Sequence, residues 1–133
     1  MDLKELVKKS SQLRLLYVED NEDARNSTKG LLSDFFSDIT VCVNGEDGLE
    51  KFKNDGKFDI VITDINMPKM DGLEMSKKIK EIDNNVEIIV VSAHNEKSFI
   101  DEGSDVVDGY LFKPLDMMQF LEELTRITSK LLD

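Results

Sequence analysis

Apolar and polar positions along the chain form blocks that predict strands and helices in alternation. Short apolar runs predict strands at residues 13–18, 39–43, 58–63, 86–91 and 106–112. Apolar residues at helical spacing predict helices at 22–36, 49–55, 73–82 and 115–132, with a short additional helix between Ser92 and Val106. Apolar strands separated by helices are typical of parallel βαβ units, whose sheet is buried on both faces. The pattern therefore predicts an α/β fold built on a five-stranded parallel sheet.

Residues 1–12 precede the first predicted strand, and we assign them as an N-terminal extension of a domain that covers residues 13–133. Leu3, Leu6 and Val7 would lie on one face of a helix in this extension. A helix this short is marginal on its own, so we expect it either to dock on the domain or to fray. Its apolar area is too small for a membrane anchor.

Length and charge narrow the classes of function. A chain of 133 residues fits one domain. The net charge of −11 makes nucleic-acid binding by this chain alone, or binding to an anionic membrane, unfavourable. No apolar run approaches the roughly 18 residues that span a bilayer, and the first residues lack the pattern of a signal peptide. A cytoplasmic location is therefore expected.

The single cysteine, Cys42, excludes an internal disulfide and a zinc site made of several cysteines. Because it lies between Val41 and Val43, it is expected to be a small buried side chain in a strand.

Polar residues stand at the carboxyl ends of four predicted strands. Glu19 and Asp20 follow the first strand, and Asp64 follows the third. Ser92 ends the fourth strand and Lys113 follows the fifth. The carboxyl ends of strands in an open parallel sheet converge on the crevice where ligands bind. These five side chains are therefore expected to share one pocket.

Three carboxylates held close together repel one another, so a divalent cation is the expected occupant of this pocket. Oxygen ligands favour Mg²⁺, with Mn²⁺ as the alternative. A cation beside Asp64 would allow its carboxylate to attack phosphorus as a nucleophile. Lys113 would supply a second positive charge, and the Ser92 hydroxyl would donate to a phosphoryl oxygen. Each residue alone has a structural explanation such as helix capping, but together they predict phosphoryl transfer to Asp64.

Four segments carry a more specific pattern. They are Leu-Tyr-Val-Glu-Asp-Asn at 16–21, Ile-Thr-Asp-Ile-Asn-Met-Pro-Lys-Met-Asp-Gly at 62–72, Val-Val-Ser-Ala at 90–93 and Tyr-Leu-Phe-Lys-Pro-Leu at 110–115. Over about residues 13–131 the chain resembles the receiver domain of bacterial two-component response regulators of the chemotaxis type. The resemblance implies a flavodoxin-like fold, a doubly wound parallel sheet of order 2-1-3-4-5 flanked by five helices.

The resemblance also implies a role for each acidic residue. Asp64 would be the phosphoacceptor. Asp20 and Asp64 would bind Mg²⁺ directly, Glu19 would bind it through water, and the backbone carbonyl of Asn66 would complete the protein's share of ligands.

Further roles follow from the same resemblance. Ser92 and Lys113 would bind the phosphoryl group, and Tyr110 would be the aromatic switch residue. Asn66 and His94 correspond to the positions that tune the lifetime of the phosphoryl group in this family.

The implied function is a phosphorylation-dependent signalling switch, whose only chemistry is phosphotransfer to its own aspartate and loss of that group. A sensor histidine kinase or a phosphotransfer protein would donate the phosphoryl group. The output would pass through a partner protein, a downstream domain outside this chain, or a phosphorylation-dependent homodimer.

Two alternatives are less favoured. A degenerate receiver that serves only as a docking module would be expected to lack the acceptor, the acidic pair or the lysine, and none is missing here. An aspartyl-phosphate phosphatase of the haloacid-dehalogenase type needs a second carboxylate two residues after its nucleophile, where this chain has Asn66.

Overall fold

Strands and helices alternate through residues 2–93 and 105–133, which are the residues that the computed structural model describes. The strands are β1 (Arg14–Val18), β2 (Asp38–Cys42), β3 (Ile60–Asp64), β4 (Glu87–Ser92) and β5 (Gly109–Phe112). The described helices are α1 (Leu3–Ser10), α2 (Glu22–Ser33), α3 (Gly45–Asp55), α4 (Gly72–Ile82) and α5 (Met117–Leu132). The short helix predicted between Ser92 and Val106 lies mostly outside the described residues. In the part of the chain described, no helix is long and apolar enough to cross a membrane.

The five strands form one parallel sheet of order β2-β1-β3-β4-β5, which confirms the predicted fold. Val18 at the end of β1 pairs with Cys42 and with Thr63. Asp64 pairs with Val91, so the ends of β3 and β4 are nearly level. This register brings the carboxyl ends of the strands to one edge, and the strand order reverses between β1 and β3 at the same edge.

Alternate residues of each strand pack into two apolar layers, one on each face of the sheet, because successive side chains of a strand point to opposite faces. The layer beneath α1, α2 and α5 contains the strand residues Leu15, Tyr17, Ile60, Ile62, Ile89, Val91 and Leu111. The layer beneath α3 and α4 contains Leu16, Val18, Val61, Ile88 and Val90. Burial on both faces is the reason why the strands are apolar at successive positions.

Each described helix begins where an Asp or Asn side chain accepts a hydrogen bond from a backbone N–H in the first turn. These N-cap residues are Asp2, Asn21, Asn44, Asp71 and Asp116. A side chain of this kind satisfies a donor that the helix itself leaves without a partner. The caps therefore set the starts of the helices, and Asn21 does so directly after the acidic pair.

Three element boundaries differ from the prediction by three residues or more, and one of them is the start of α3, which lies at Gly45 rather than at residue 49. α2 ends at Ser33 rather than at residue 36, because the backbone N–H groups of Phe35 and Phe36 both donate to the carbonyl of Leu32 and the chain turns toward β2. Both phenylalanines are buried in that turn. β5 begins at Gly109 rather than at residue 106.

The N-terminal extension forms α1 and docks on the domain. Leu6 is buried in the apolar layer beneath α2 and α5. The Ser10 hydroxyl donates to the carbonyl of Phe35 at 2.6 Å, and Lys9 Nζ lies 2.8 Å from Asp133 Oδ1. α1 therefore joins the turn after α2 to the end of α5.

Candidate functional site

The carboxyl edge of the sheet brings together the acidic side chains that were predicted to meet. Glu19 and Asp20 follow β1, and Asp64 is the last residue of β3. Carboxylate oxygens of these three residues all lie within 4.8 Å of one another. Glu19 and Asp64 are buried, with 2% and 7% of their surface exposed, whereas Asp20 is exposed. The cluster is therefore closed on the side of the sheet and open to water at Asp20.

Lys113 supplies positive charge to this cluster. Its Nζ lies 3.3 Å from Glu19 Oε1 and 3.4 Å from Asp64 Oδ1. Burial lowers the pKa of Lys113, but the Asp64 and Glu19 carboxylates outweigh burial and hold the pKa above its ordinary value. The backbone N–H of Lys113 donates to the carbonyl of Ser92 at 2.9 Å, so this residue lies beside the end of β4.

The surroundings of the Glu19 carboxyl group raise its pKa. Burial, followed by the neighbouring Asp64 charge, raises its pKa to about 7, although the N–H of Asn21 and the Lys113 ammonium act in the opposite direction. Near neutral pH, Glu19 is therefore partly protonated when no cation is bound. A divalent cation in this cluster would favour the charged carboxylate and displace the proton.

The loop after Asp64 holds its carboxylate in position. Asp64 Oδ1 accepts a hydrogen bond from the N–H of Ile65 at 2.9 Å, and the N–H of Gly72 donates to the carbonyl of Ile65 at 2.8 Å. A Cβ at position 72 would lie 2.0 Å from the carbonyl oxygen of Asp64, so only glycine fits there. Within the described part of the chain, the Asp64 carboxylate contacts the N–H of Ile65 and the ammonium of Lys113 through Oδ1.

The remaining predicted residues lie around this centre. Ser92 is fully buried at the end of β4, and its hydroxyl donates to the carbonyl of Ala93 at 3.3 Å. Asn66 is exposed in the loop after β3. Tyr110 is partly buried and packs against the apolar layer beneath α3 and α4. His94, the predicted lifetime-tuning residue, lies outside the described residues.

The side chains present fit a hard divalent cation. The cluster offers only oxygen ligands, two of them on buried carboxylates, and its open side at Asp20 leaves room for water. Mg²⁺ binds through one or two carboxylates and keeps several of its water molecules. The acidic cluster therefore supports Mg²⁺ binding.

A cavity of about 430 Å³ adjoins the site between α2 and the chain after β5. Glu19 and Lys113 belong to its lining, together with Tyr17, Thr28 and Leu31. Burial raises the pKa of Tyr17 to about 12, although Thr28 acts in the opposite direction. The neutral tyrosine thus forms one wall of the cavity without adding charge to the site.

Arg25 is a residue of this region that the sequence analysis missed. Its Nη1 lies 3.1 Å from the carbonyl oxygen of Glu19 and 3.4 Å from that of Asp20. The only sequence signal was a basic residue shortly after the start of a helix that follows an acidic pair.

Comparisons with known proteins agree with this geometry. Residues 15–125 match the response regulator receiver domain family. The chemotaxis protein CheY of Treponema pallidum is 32% identical over 117 residues, which cover 86% of this chain and 81% of that protein.

Two solved structures share the fold. A complex of CheX, CheY, BeF₃ and Mg²⁺ from Borrelia burgdorferi is 30% identical, with a TM-score of 0.74 and coverage of 86% of this chain and 88% of that one. The response regulator TrrA of Thermotoga maritima, in complex with Mg²⁺ and BeF, is 29% identical, with a TM-score of 0.75 and coverage of 86% and 98%.

Proposed function

Because this chain belongs to the response regulator receiver family, we propose that it is a phosphorylation-dependent signalling switch in which Asp64 accepts the phosphoryl group. The observation that carries the proposal is the meeting of three carboxylates with the Lys113 ammonium at the carboxyl edge of the sheet. Three carboxylates held this close repel one another when no cation is bound, whereas phosphoryl transfer uses a nucleophile, a metal site and a positive charge together.

Phosphorylation proceeds by attack of the Asp64 carboxylate on phosphorus. The donor class is a phosphohistidine of a sensor kinase or phosphotransfer protein. The new O–P bond forms as the P–N bond breaks, and the imidazole leaves with the electron pair of that bond and binds a proton. The contacts of Asp64 with Ile65 and Lys113 use Oδ1, so Oδ2 is the oxygen available for the attack on phosphorus.

The side chains around Asp64 balance the charge of this step. Mg²⁺ would be held by Asp20, Asp64 and the carbonyl of Asn66, with Glu19 acting through water, and it would neutralise charge on the phosphoryl oxygens. Lys113, now shared between Glu19 and Asp64, would contact a phosphoryl oxygen.

Ser92 links the phosphoryl group to the rest of the domain. Its hydroxyl now makes one long hydrogen bond to a neighbouring carbonyl, and a phosphoryl oxygen would be a stronger, charged acceptor. Movement of Ser92 toward the phosphoryl group would make room beside β4, which Tyr110 on the adjacent strand β5 would fill.

The output would pass through a partner protein, a second copy of the chain or a downstream domain outside the given sequence. The start of α5 presents exposed apolar surface at Met117 and Met118. The CheY of Borrelia burgdorferi has been solved in complex with the protein CheX, which supports a protein partner for this chain as well.

Intact mass spectrometry tests the proposal. The protein is incubated with a small phosphodonor, such as acetyl phosphate, with Mg²⁺ or with chelator. The wild type should gain one phosphoryl group only with Mg²⁺, and Asp64→Asn should gain none. Asp23→Asn is the matched control, because Asp23 is an exposed acidic residue in the first turn of α2 outside the cluster. An equal mass gain in Asp64→Asn would overturn the assignment.

A further inference from the structure

Among the described residues of α2, Arg25 is the one whose side chain contacts the backbone of the acidic pair. The guanidinium donates through Nη1 to two successive carbonyls, those of Glu19 and Asp20. The two contacts are 3.1 and 3.4 Å long, and the positive charge of the donor strengthens them relative to contacts between neutral groups. Because the two carbonyls lie on either side of the Cα of Asp20, contacts to both restrict the φ and ψ angles of Asp20. Arg25 therefore limits the orientation of the chain segment from which both carboxylates project.

The two acidic side chains depend on this restriction to different degrees. Glu19 is buried and is held at its carboxylate by the N–H of Asn21, at 3.2 Å, and by Lys113. Asp20 is exposed, and its carboxylate forms no hydrogen bond or ion pair with the described part of the chain. The direction of the Asp20 side chain is therefore set by its backbone, and Arg25 is bound to that backbone.

We propose that Arg25 is a positioning residue, which holds the Glu19–Asp20 backbone so that the Asp20 carboxylate faces Asp64 and the cluster can bind a divalent cation. The proposal rests on the proposed function, because it assigns Arg25 to the same metal site. Without Arg25, repulsion from Asp64 and Glu19 would turn the exposed Asp20 side chain toward water. The site would then lose one of its direct ligands before the cation arrives.

Charge alone does not account for the arrangement. A guanidinium carries its donors in a planar fork, whereas an ammonium is a compact charge on a flexible stem. Arg25→Lys should therefore keep the positive charge near the cluster but restore the positioning only in part. Lys29 lies one turn further along α2 and has an exposed side chain. Lys29→Met is therefore the matched control, which removes a positive charge near the cluster without removing a contact to the acidic pair.

Mg²⁺ affinity measured by NMR titration of the metal-free protein tests the proposal. Arg25→Met should weaken Mg²⁺ binding by about 10-fold, the low end of the effect of residues that support metal ligands. Arg25→Lys should lie between Arg25→Met and the wild type, and Lys29→Met should stay within about twofold because exposed charges are screened by salt. Binding by Arg25→Met that equals that of the wild type would overturn the proposal.

Hydrogen exchange in chelator provides a readout without metal. In Arg25→Met, the backbone N–H groups of residues 20 and 21 should exchange faster, while those of residues 29–33 in the second half of α2 stay as protected as in the wild type. Faster exchange throughout α2 would show that Arg25 supports the helix rather than the acidic pair, and would contradict the proposal. Arg25→Gln serves as a second variant if Arg25→Met does not fold.

The rate of phosphorylation separates positioning from chemistry. The Mg²⁺ concentration that gives half of the maximal rate should rise in Arg25→Met, and the rate at saturating Mg²⁺ should approach that of the wild type. A maximal rate that falls without a change in the Mg²⁺ requirement would contradict the proposal. Absence of Mg²⁺ binding in the wild type would instead overturn the proposed function itself, so the two failures are distinguishable.

Discussion

The two ends of the same parallel sheet both carry clusters of charged side chains, and the clusters differ in how their charges are matched. At the amino end, Glu87 begins β4 with 1% of its surface exposed and contacts two cations, Arg126 Nη1 at 2.9 Å and Lys130 Nζ at 3.2 Å. Nearby, Asp108 accepts from Lys80 at 2.9 Å and from the N–H of Ile88. At the carboxyl end, the Lys113 ammonium contacts Glu19 and Asp64, whereas Asp20, the third carboxylate of the cluster, forms no ion pair with the described residues.

The pKa shifts have opposite directions at the two ends. Burial raises the pKa of Asp108, but the N–H of Ile88 and the ammonium of Lys80 outweigh it and hold the pKa below its ordinary value. At Glu19, burial and the Asp64 charge outweigh the favourable contacts and raise the pKa to about 7. The amino end therefore stabilises the fold, whereas the carboxyl end holds a repulsion that a bound cation would relieve. Locally unfavourable arrangements such as this repulsion between carboxylates are expected at functional sites.

Breaking the amino-end cluster should have the largest effect. Arg126→Met should lower the free energy of unfolding by about 2 kcal/mol, less than the 3–5 kcal/mol typical of a fully buried pair because Arg126 is partly exposed and Lys130 remains. Urea unfolding monitored by circular dichroism measures the change. Lys51→Met, which breaks an exposed pair with Asp55 on α3, is the control and should cost less than about 0.5 kcal/mol. Equal losses in the two variants would show that the amino-end cluster does not stabilise the protein.

The protonation of Glu19 should make stability depend on pH. Its pKa is about 7 in the folded protein against an ordinary value of 4.5, so the folded state binds the proton more tightly than the unfolded chain. This contribution to stability is fully present below pH 4.5 and is lost as pH rises through 7. In chelator, wild type should therefore lose stability relative to Glu19→Gln as the pH rises across this range.

Two controls sharpen the pH experiment. Glu22→Gln removes an exposed glutamate from the first turn of α2 and should follow the wild-type pH dependence. Saturating Mg²⁺ should flatten the difference between wild type and Glu19→Gln, because the cation favours the charged carboxylate. A pH dependence that is the same in Glu19→Gln and wild type would contradict the assignment.

Removing one like charge from the carboxyl-end cluster should change the stability less than the preceding substitutions, Arg126→Met and Glu19→Gln. In chelator, Asp20→Asn should be more stable than wild type by about 1 kcal/mol, because it removes one of three like charges from a site that is open to water. Mg²⁺ should raise the melting temperature of wild type and have little effect on Asp20→Asn, since a ligand stabilises the state that binds it. A full Mg²⁺ response in Asp20→Asn, measured by calorimetry, would place the metal site elsewhere.

Loss of the Ser92 hydroxyl should weaken the coupling between the phosphoryl group on Asp64 and the Tyr110 ring more than it changes stability. Ser92→Ala should still accept a phosphoryl group on Asp64, because the nucleophile and the acidic residues are unchanged. NMR spectra with and without beryllofluoride, a phosphoryl mimic, should show a shift of the Tyr110 ring in wild type and a much smaller one in Ser92→Ala. Identical Tyr110 shifts in the two proteins would mean that the signal leaves the site by another route.

The strands and the starts of α2 and α4 were predictable from the sequence for a physical reason. Strands buried on both faces must be apolar, and a helix that begins after a strand needs a side chain such as Asn21 or Asp71 to satisfy its first N–H groups. The end of α2 was predicted wrongly, because the spacing of apolar residues does not distinguish a buried residue in a helix from one in the following turn. Phe35 and Phe36 are buried in such a turn.

The residues at the carboxyl edge were also predictable, because parallel topology brings strand ends together whatever their separation along the chain. Their spacing does not show how the charges are shared. That Lys113 lies between Glu19 and Asp64, and that burial raises the pKa of Glu19, depends on distances and depths that exist only in the folded chain.

The contacts that the sequence analysis missed join side chains to groups that carry no sequence signal. Arg25 and Ser10 donate to backbone carbonyls, which every residue has. Glu87 and Arg126 are far apart in the chain and meet only because α5 crosses the amino end of β4. The sequence by itself determined the order of elements and the chemistry at the strand ends, through periodicity and the position of polar residues. The tertiary structure decided that α1 docks and which charges are neutralised, because both depend on three-dimensional packing.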